Sequence, residues 1–244
     1  MKRGLLCTFV LVCVSLAAVG QGLYPVYYDC TFPWGGIESA TRLFVSNPGD
    51  TGVQYTVTLH NPNGIRLGSA TYFVNAHACS QTWLPDLLSG DRSYAWGLCK
   101  VETSLGYPTD LEVVAERYIG GMLVGYDEVP RDAVSAKHAF FYNASQSLGG
   151  PDNDSHICVM NPTETANGYV IELHDAYGTI IAVEQGVVNP GTCKVHRLSD
   201  LASGRRDFAM GLCIVRAETY AYEKIAVNVF RMRDGRLLNS QTVP

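Results

Sequence analysis

Charge is scarce in this sequence. Only 17% of the 244 residues are charged, and the 18 basic residues are outnumbered by 23 acidic ones. The formal net charge of −5 excludes the basic excess that nucleic acid or an anionic membrane surface selects. Long apolar runs are missing after residue 20, so no integral membrane segment is expected there, since a spanning helix needs roughly 20 apolar residues. The sequence also lacks GxSxG, HExxH and closely paired histidines, which excludes the familiar nucleophile and zinc signatures. Gly35-Gly36 and Gly149-Gly150 fall between expected strands rather than ahead of a helix, which argues against a phosphate-binding loop. No enzyme, metal or other cofactor is therefore expected. Disorder is excluded as well, because 47% of the residues are hydrophobic and can bury a core.

Residues 1–20 place Lys2 and Arg3 before an apolar run from Leu5 to Val19, with small residues Ala18 and Gly20 at its end. That order reads as a secretory signal peptide. A secreted or periplasmic chain is expected, with 16 basic and 23 acidic residues after residue 20.

A constant offset organises the rest. Residue n matches residue n+114 from Tyr28/Tyr142 to Pro130/Pro244 without insertion, and nearly a third of the aligned positions are identical. Val45, Asn47 and Pro48 recur as Val159, Asn161 and Pro162; Gly97-Leu98-Cys99 recurs as Gly211-Leu212-Cys213. Two tandem copies of one domain are expected, at residues 21–130 and 131–244. Residues kept in both copies are expected to serve the fold, and residues present in one copy are free for a particular task.

Within each copy the apolar residues alternate. Tyr55, Val57 and Leu59 interleave with Thr56, Thr58 and His60, and Tyr169, Ile171 and Leu173 repeat the pattern. Period two marks strands with one buried face. About seven short strands per copy are expected, near 26–31, 42–47, 53–60, 65–74, 94–103, 109–118 and 122–128, with one short helical turn at Leu84–Leu88. The fold class is all-β: two homologous antiparallel β-sandwiches.

Six cysteines follow residue 20, an even number in an oxidising compartment. Cys79 and Cys99 recur at the same spacing as Cys193 and Cys213, so disulfides 79–99 and 193–213 are expected. Cys30 and Cys158 have no counterparts and are read as a third bridge joining the copies. The side of its strand that carries Cys158 and Met160 is apolar, as an interface between copies requires.

The remaining candidates are uneven between copies. All three tryptophans lie in copy one, where Trp34, Trp83 and Tyr94 are candidate ligand-binding aromatics of the kind that stack on sugar rings. Trp96, replaced by Met210, reads as packing. Asp86 and Asp200 are the only acidic residues common to both copies, and they read as caps of the short helical turn rather than as paired catalytic carboxylates. Copy one carries five basic and eleven acidic residues, copy two eleven and twelve, including Arg205, Arg206, Arg231, Arg233 and Arg236. This asymmetry suggests a basic face of copy two meeting an acidic face of copy one, within the chain or head to tail between chains. Asn143 and Asn153 begin glycosylation sequons, whose use depends on the host. The reading that results is a secreted, non-enzymatic binding or structural module. Its partner is an extracellular polysaccharide or another protein. A sugar-binding protein and a hydrolase with a site between the copies are the alternatives.

Overall fold

A computed structural model describes residues 22–32, 36–89, 92–104, 111–146, 150–203, 206–218, 224–234 and 236–244, without the Phe208 side chain. The expected signal peptide and Trp34 lie outside the described residues. The first half contains β1 (Leu23–Asp29), β2 (Ser39–Asn47), β3 (Val53–His60), β4 (Arg66–Val74), β5 (Ala78–Trp83), β6 (Trp96–Thr103), β7 (Glu112–Ile119) and β8 (Met122–Val129). The second half contains β9 (Lys137–Asn143), β10 (Asn153–Met160), β11 (Asn167–Asp175), β12 (Ile180–Val188), β13 (Cys193–Arg197), β14 (Met210–Ala217), β15 (Ala226–Arg233) and β16 (Arg236–Val243).

All pairings between these strands are antiparallel. The first half forms sheets β1-β6-β3-β4 and β5-β2-β7-β8, and the second forms β9-β14-β11-β12 and β13-β10-β15-β16. Adding eight to each label converts one pair of sheets into the other. Even the bulges recur, at Leu59/His60 and Leu173/His174 and at Arg117/Tyr118 and Arg231/Met232. The described chain is thus all-β, as its alternation predicts.

Each half has its own core. Tyr24, Val26 and Tyr28 of β1 and Tyr55, Val57 and Leu59 of β3 point inward from one sheet. Leu43 and Val45 of β2 and Val113 and Ala115 of β7 meet them from the other. Among the described residues eight strands form in each half where about seven were expected, and β5 is the addition. Its inward positions are Ser80 and Thr82, and Ser80 hydrogen-bonds the Tyr55 phenol, so the strand carries no apolar alternation to detect. The helical turn appears as a 3-10 turn at Leu84–Leu87 and a single α-turn at Leu198–Leu201. Asp86 and Asp200 do not cap them by side-chain hydrogen bonds, contrary to expectation; they sit inside the first turn, where negative charge meets the helix dipole.

Arg92 and Arg206, common to both halves, serve the fold. Arg92 binds the carbonyls of Cys30 and Ser39, and Arg206 binds those of Ala144 and Asn153, so each ties β1 or β9 to the strand that follows it. Arg206 also pairs with Asp152 at 2.5 Å, which corrects its expected place in a basic patch facing the first half. Gly97 and Gly211 have φ of +141° and +159°, and a Cβ at either would collide with the carbonyl of His60 or His174.

The second half has a polar anchor of its own. Asp154 accepts from His156 Nε2 at 3.0 Å, Ser199 Oγ at 2.7 Å and Ser199 N at 3.1 Å, and Arg197 adds its charge. Burial alone pushes this carboxyl up, but the donors from His156 and Ser199 outweigh it and bring it down to about 2. A carboxyl depressed by folding stabilises fully above its ordinary value of 3.8 and loses that contribution as pH falls toward about 2. At 1.36 kcal/mol per unit the contribution near neutrality is about 2 kcal/mol. Urea unfolding of the parent and of Asp154→Asn should differ by that amount at neutral pH and converge in acid. A gap that persists unchanged in acid refutes the assignment.

A third apolar cluster joins the halves. Leu98 of β6, with Tyr27 and Trp96, packs on Cys158 and Met160 of β10, Ala226 and Phe230 of β15, and Cys193. The outward face of β10 is buried here, and the Tyr27 and Phe230 rings meet edge to face at 4.7 Å. Beside the cluster, the edge of β8 lies along β16. Asp127 of β8, 3% exposed, accepts from Thr242 N, Thr242 Oγ1 and Asn228 Nδ2, each at 2.7 Å. Arg117, 4% exposed, stands 3.5 Å from Asp127, hydrogen-bonds Ser240, and lies over the Tyr27 and Phe230 rings. These contacts hide two strand edges that would otherwise be open to pairing.

The cysteines correct the expected bridges. All six described thiols are free. Cys79 occupies an outward position of β5 and is exposed, whereas Cys99 is fully buried in the core of the facing sheet. Cys193 lies in the layer between the halves and Cys213 in the second core. Cys30 lies in the first core and Cys158 between the halves, where its neighbour is Cys193; burial first, and then Cys193, push the Cys158 thiol up. The repeated spacing of 20 residues therefore records matching strand positions and not proximity. Native alkylation with a maleimide, followed by peptide mapping, should label Cys79 rapidly and leave Cys99, Cys158 and Cys213 protected; equal labelling of all four refutes this arrangement.

Candidate binding face

The outward face of sheet β5-β2-β7-β8 collects aromatic and charged side chains because its strands alternate apolar-in with polar or aromatic-out. The register sets Arg42 between Trp83 and Glu116, and Glu116 beside Tyr126. Trp83 meets Tyr118 edge to face at 5.3 Å, while the Arg42 guanidinium lies 4.8 Å from the Phe44 ring centre and 5.2 Å from that of Tyr118. Arg42 Nη2 and Nε bind Glu116 Oε2 at 2.5 and 2.9 Å, and the Tyr118 hydroxyl donates to the same oxygen at 2.6 Å.

These contacts tune the polar groups. Burial pushes the Glu116 carboxyl up, yet the donors from Tyr118 and Arg42 hold it below its ordinary value. The Tyr118 phenol rises in turn, chiefly through its bond to Glu116. The result is a fixed, flat surface of rings interrupted by one ion pair. Such a surface can stack on a ring or cover another sheet, and its Tyr118 also lines a cavity between the halves.

Of the expected aromatics, Trp83 belongs to this face. Tyr94 lies in the loop before β6, 72% exposed, and shares none of the ring contacts at the face. Arg42, Phe44, Glu116 and Tyr118 were not among the expected residues. Their signal is present in the repeat, as outward positions where copy one differs from the His156, Cys158, Phe230 and Met232 of copy two.

A cavity of about 250 Å³ opens between the halves, bounded by Tyr27, Arg117, His156, Phe230 and Met232. Its lining includes a single carboxylate, Asp29, which accepts from the backbone and hydroxyl of Thr31. Opposed carboxylates of the kind glycoside hydrolysis uses are not brought together in this lining. Among the described residues, no group of His, Cys, Asp or Glu is arranged to hold a metal ion. No described helix is long and apolar enough to cross a membrane.

No family model matches the chain. No curated protein matches it either. Among solved structures, a glycosyl hydrolase family 2 member from Bacteroides cellulosilyticus aligns with 92% of the chain at 9% identity and a TM-score of 0.21, and the chain spans 28% of it. The PBSX exported protein XepA aligns with 87% of the chain, over 86% of its own length, at 9% identity and a TM-score of 0.22. The C-terminal domain of the AgI/II polypeptide BspA from Streptococcus agalactiae aligns over 91% of each chain at 10% identity and a TM-score of 0.23. Likenesses of that size transfer neither activity nor partner to this chain.

Proposed function

We propose that this protein is an exported, non-enzymatic binding and assembly module that works by covering flat sheet faces rather than by enclosing a substrate. One observation carries the reading. The outward face of β13-β10-β15-β16 is already used to bind the first half, while its repeat counterpart, the face of Trp83 and Arg42, stands open. Met160 is fully buried and Cys193 is 4% exposed, whereas the equivalent of Cys193, Cys79, is exposed. The pattern at residues 1–20 supports export.

A second reading is favoured by the ledge formed by Trp83 and Tyr118. Rings flanked by an Arg–Glu pair match the stacking and hydrogen-bonding needs of a sugar. Two assays test both readings: retention on a panel of immobilised polysaccharides, and self-association by sedimentation. Trp83→Ala and Val114→Arg, checked for intact folding by circular dichroism, should abolish at least one. A chain inert in both assays, or variants at parental level in both, sinks the proposed function.

A further inference from the structure

The exposed face of the second half is the exact repeat counterpart of the surface that the first half buries. Leu98 pairs across β1 with Tyr27, and Leu212 pairs across β9 with Phe141 in the same register. Leu98 is 0% exposed and Leu212 43%; Phe141 is 52% exposed. Trp96, packed on the cluster between the halves, is matched by Met210, 42% exposed. Nothing about the local fold requires this apolar patch to face water.

The open face carries further apolar side chains around this patch. Lys100 in the first half becomes Ile214 in the second, and Val183 and Val187 of β12 are 56% and 51% exposed on the same outward side, beside the Arg216–Glu172 ion pair. Contiguous exposed apolar surface of this kind marks an interaction site. The chain contains the counterpart of the surface that covers Leu98, the outward face of β5-β2-β7-β8, where Phe44, Ser46, Glu112 and Glu116 stand in the places of Cys158, Met160, Ala226 and Phe230.

We infer that the Leu212–Phe141 face of one copy docks on the Trp83–Arg42 face of another, repeating the contact between the halves and joining copies head to tail. This rests on the proposed reading of the Trp83 face as a binding face.

The polar residues at the joint support the match. Within the chain Asp127 accepts from Thr242, and Arg117 lies against Phe230 and Ser240. At the new joint the equivalent of Arg117 is Arg231, facing Glu116; Tyr126, Glu128 and Gln241 already line the groove where β8 meets β16 within the chain. Arg231 meets a carboxylate where Arg117 meets a ring. The contact is heterologous, so it builds an open chain or a large ring rather than a closed dimer.

Sedimentation of the purified chain, over a wide concentration range at low and high salt, tests this. The expected result is mass that grows beyond a dimer with concentration. Leu212→Glu, which sets a carboxylate against Glu112 and Glu116, and Val114→Arg, which opposes Arg231, should each be monomeric. An equimolar mixture of the two should stop at a dimer, since each variant keeps one good face. Phe141→Ser and Tyr126→Lys, at exposed positions, provide a second pair if either first variant loses its circular dichroism spectrum. A parent that is monomeric at every concentration overturns the inference, as does assembly that survives Leu212→Glu with Phe141→Ser, or a mixture that stays monomeric. If the parent is monomeric but polysaccharide retention is lost in Trp83→Ala, this inference fails and the binding face stands.

Discussion

Asp127→Ala should destabilise the protein by about 3–5 kcal/mol, the usual cost of removing one member of a buried, hydrogen-bonded ion pair. The site is closed to water: Asp127 is 3% exposed and Arg117 4%. With the carboxylate gone, Thr242 N, Thr242 Oγ1 and Asn228 Nδ2 lose this acceptor, and Arg117 loses the carboxylate 3.5 Å away. Arg117 is already strained in this respect, since burial draws its guanidinium below the ordinary value and its Nε has no hydrogen-bond partner. Urea unfolding measures the loss. Because every donor to Asp127 other than Arg117 comes from the second half, small-angle scattering of Asp127→Ala should also show a larger radius of gyration than the parent.

A double variant separates charge burial from contact loss. Replacing both members of a buried pair with apolar groups restores most of the stability that removing one member costs. Arg117→Met combined with Asp127→Leu should therefore unfold closer to the parent than Asp127→Ala alone. If Asp127→Ala costs less than about 1 kcal/mol, within the range of an exposed pair, the joint does not hold the halves as described.

What the sequence discloses and what it hides differ by range. Tyr55, Val57 and Leu59 alternate along one strand, so their common burial follows from a local period, and the same holds for Tyr169, Ile171 and Leu173. The outward position of Cys158 and Met160 follows equally from parity against Ile157 and Val159. The cysteine pairs do not follow, because a constant spacing says which strand position a residue takes and not which sheet or side it faces. Arg117 and Asp127 also escape. Their hydrogen-bond partners in the second half lie 101 to 123 residues away, and neither residue stands in a motif that announces the contact. Yet Asp127 is present in one copy only, with Gln241 as its counterpart, and so fits the rule that unshared residues take particular tasks. The candidate face is half visible in the sequence: Trp83 stands out by its rarity, whereas Arg42 and Glu116 become legible only once β2 and β7 are set side by side.

The shared pair Asn47 and Asn161 obeys the complementary rule, unlike Arg117 and Leu98, which recur as Arg231 and Leu212 yet serve the joint in one half only. Asn161→Ala should show it with a loss of about 3 kcal/mol. Asn161 is fully buried and is matched by Asn47 at 1% exposure. Its Nδ2 donates to the carbonyls of Thr165 at 2.6 Å and Val188 at 2.9 Å; its Oδ1 accepts from Thr163 N at 3.0 Å and Thr163 Oγ1 at 2.6 Å. Asn47 does the same work, donating to Thr51 and Asn75 and accepting from Gly49 N. In each half one side chain thus stitches the end of β2 or β10 to the loop that follows it and to the end of β4 or β12. A buried group left without its partner costs about 1–3 kcal/mol, and alanine strands at least two. Asn161→Asp keeps the accepting oxygen but turns the donor into a second carboxylate oxygen against the carbonyls of Thr165 and Val188. It should be no better than alanine. Asn161→Asp at parental stability, measured by urea unfolding, would show that the donor side of this amide carries no weight and that Asn47 and Asn161 recur for another reason.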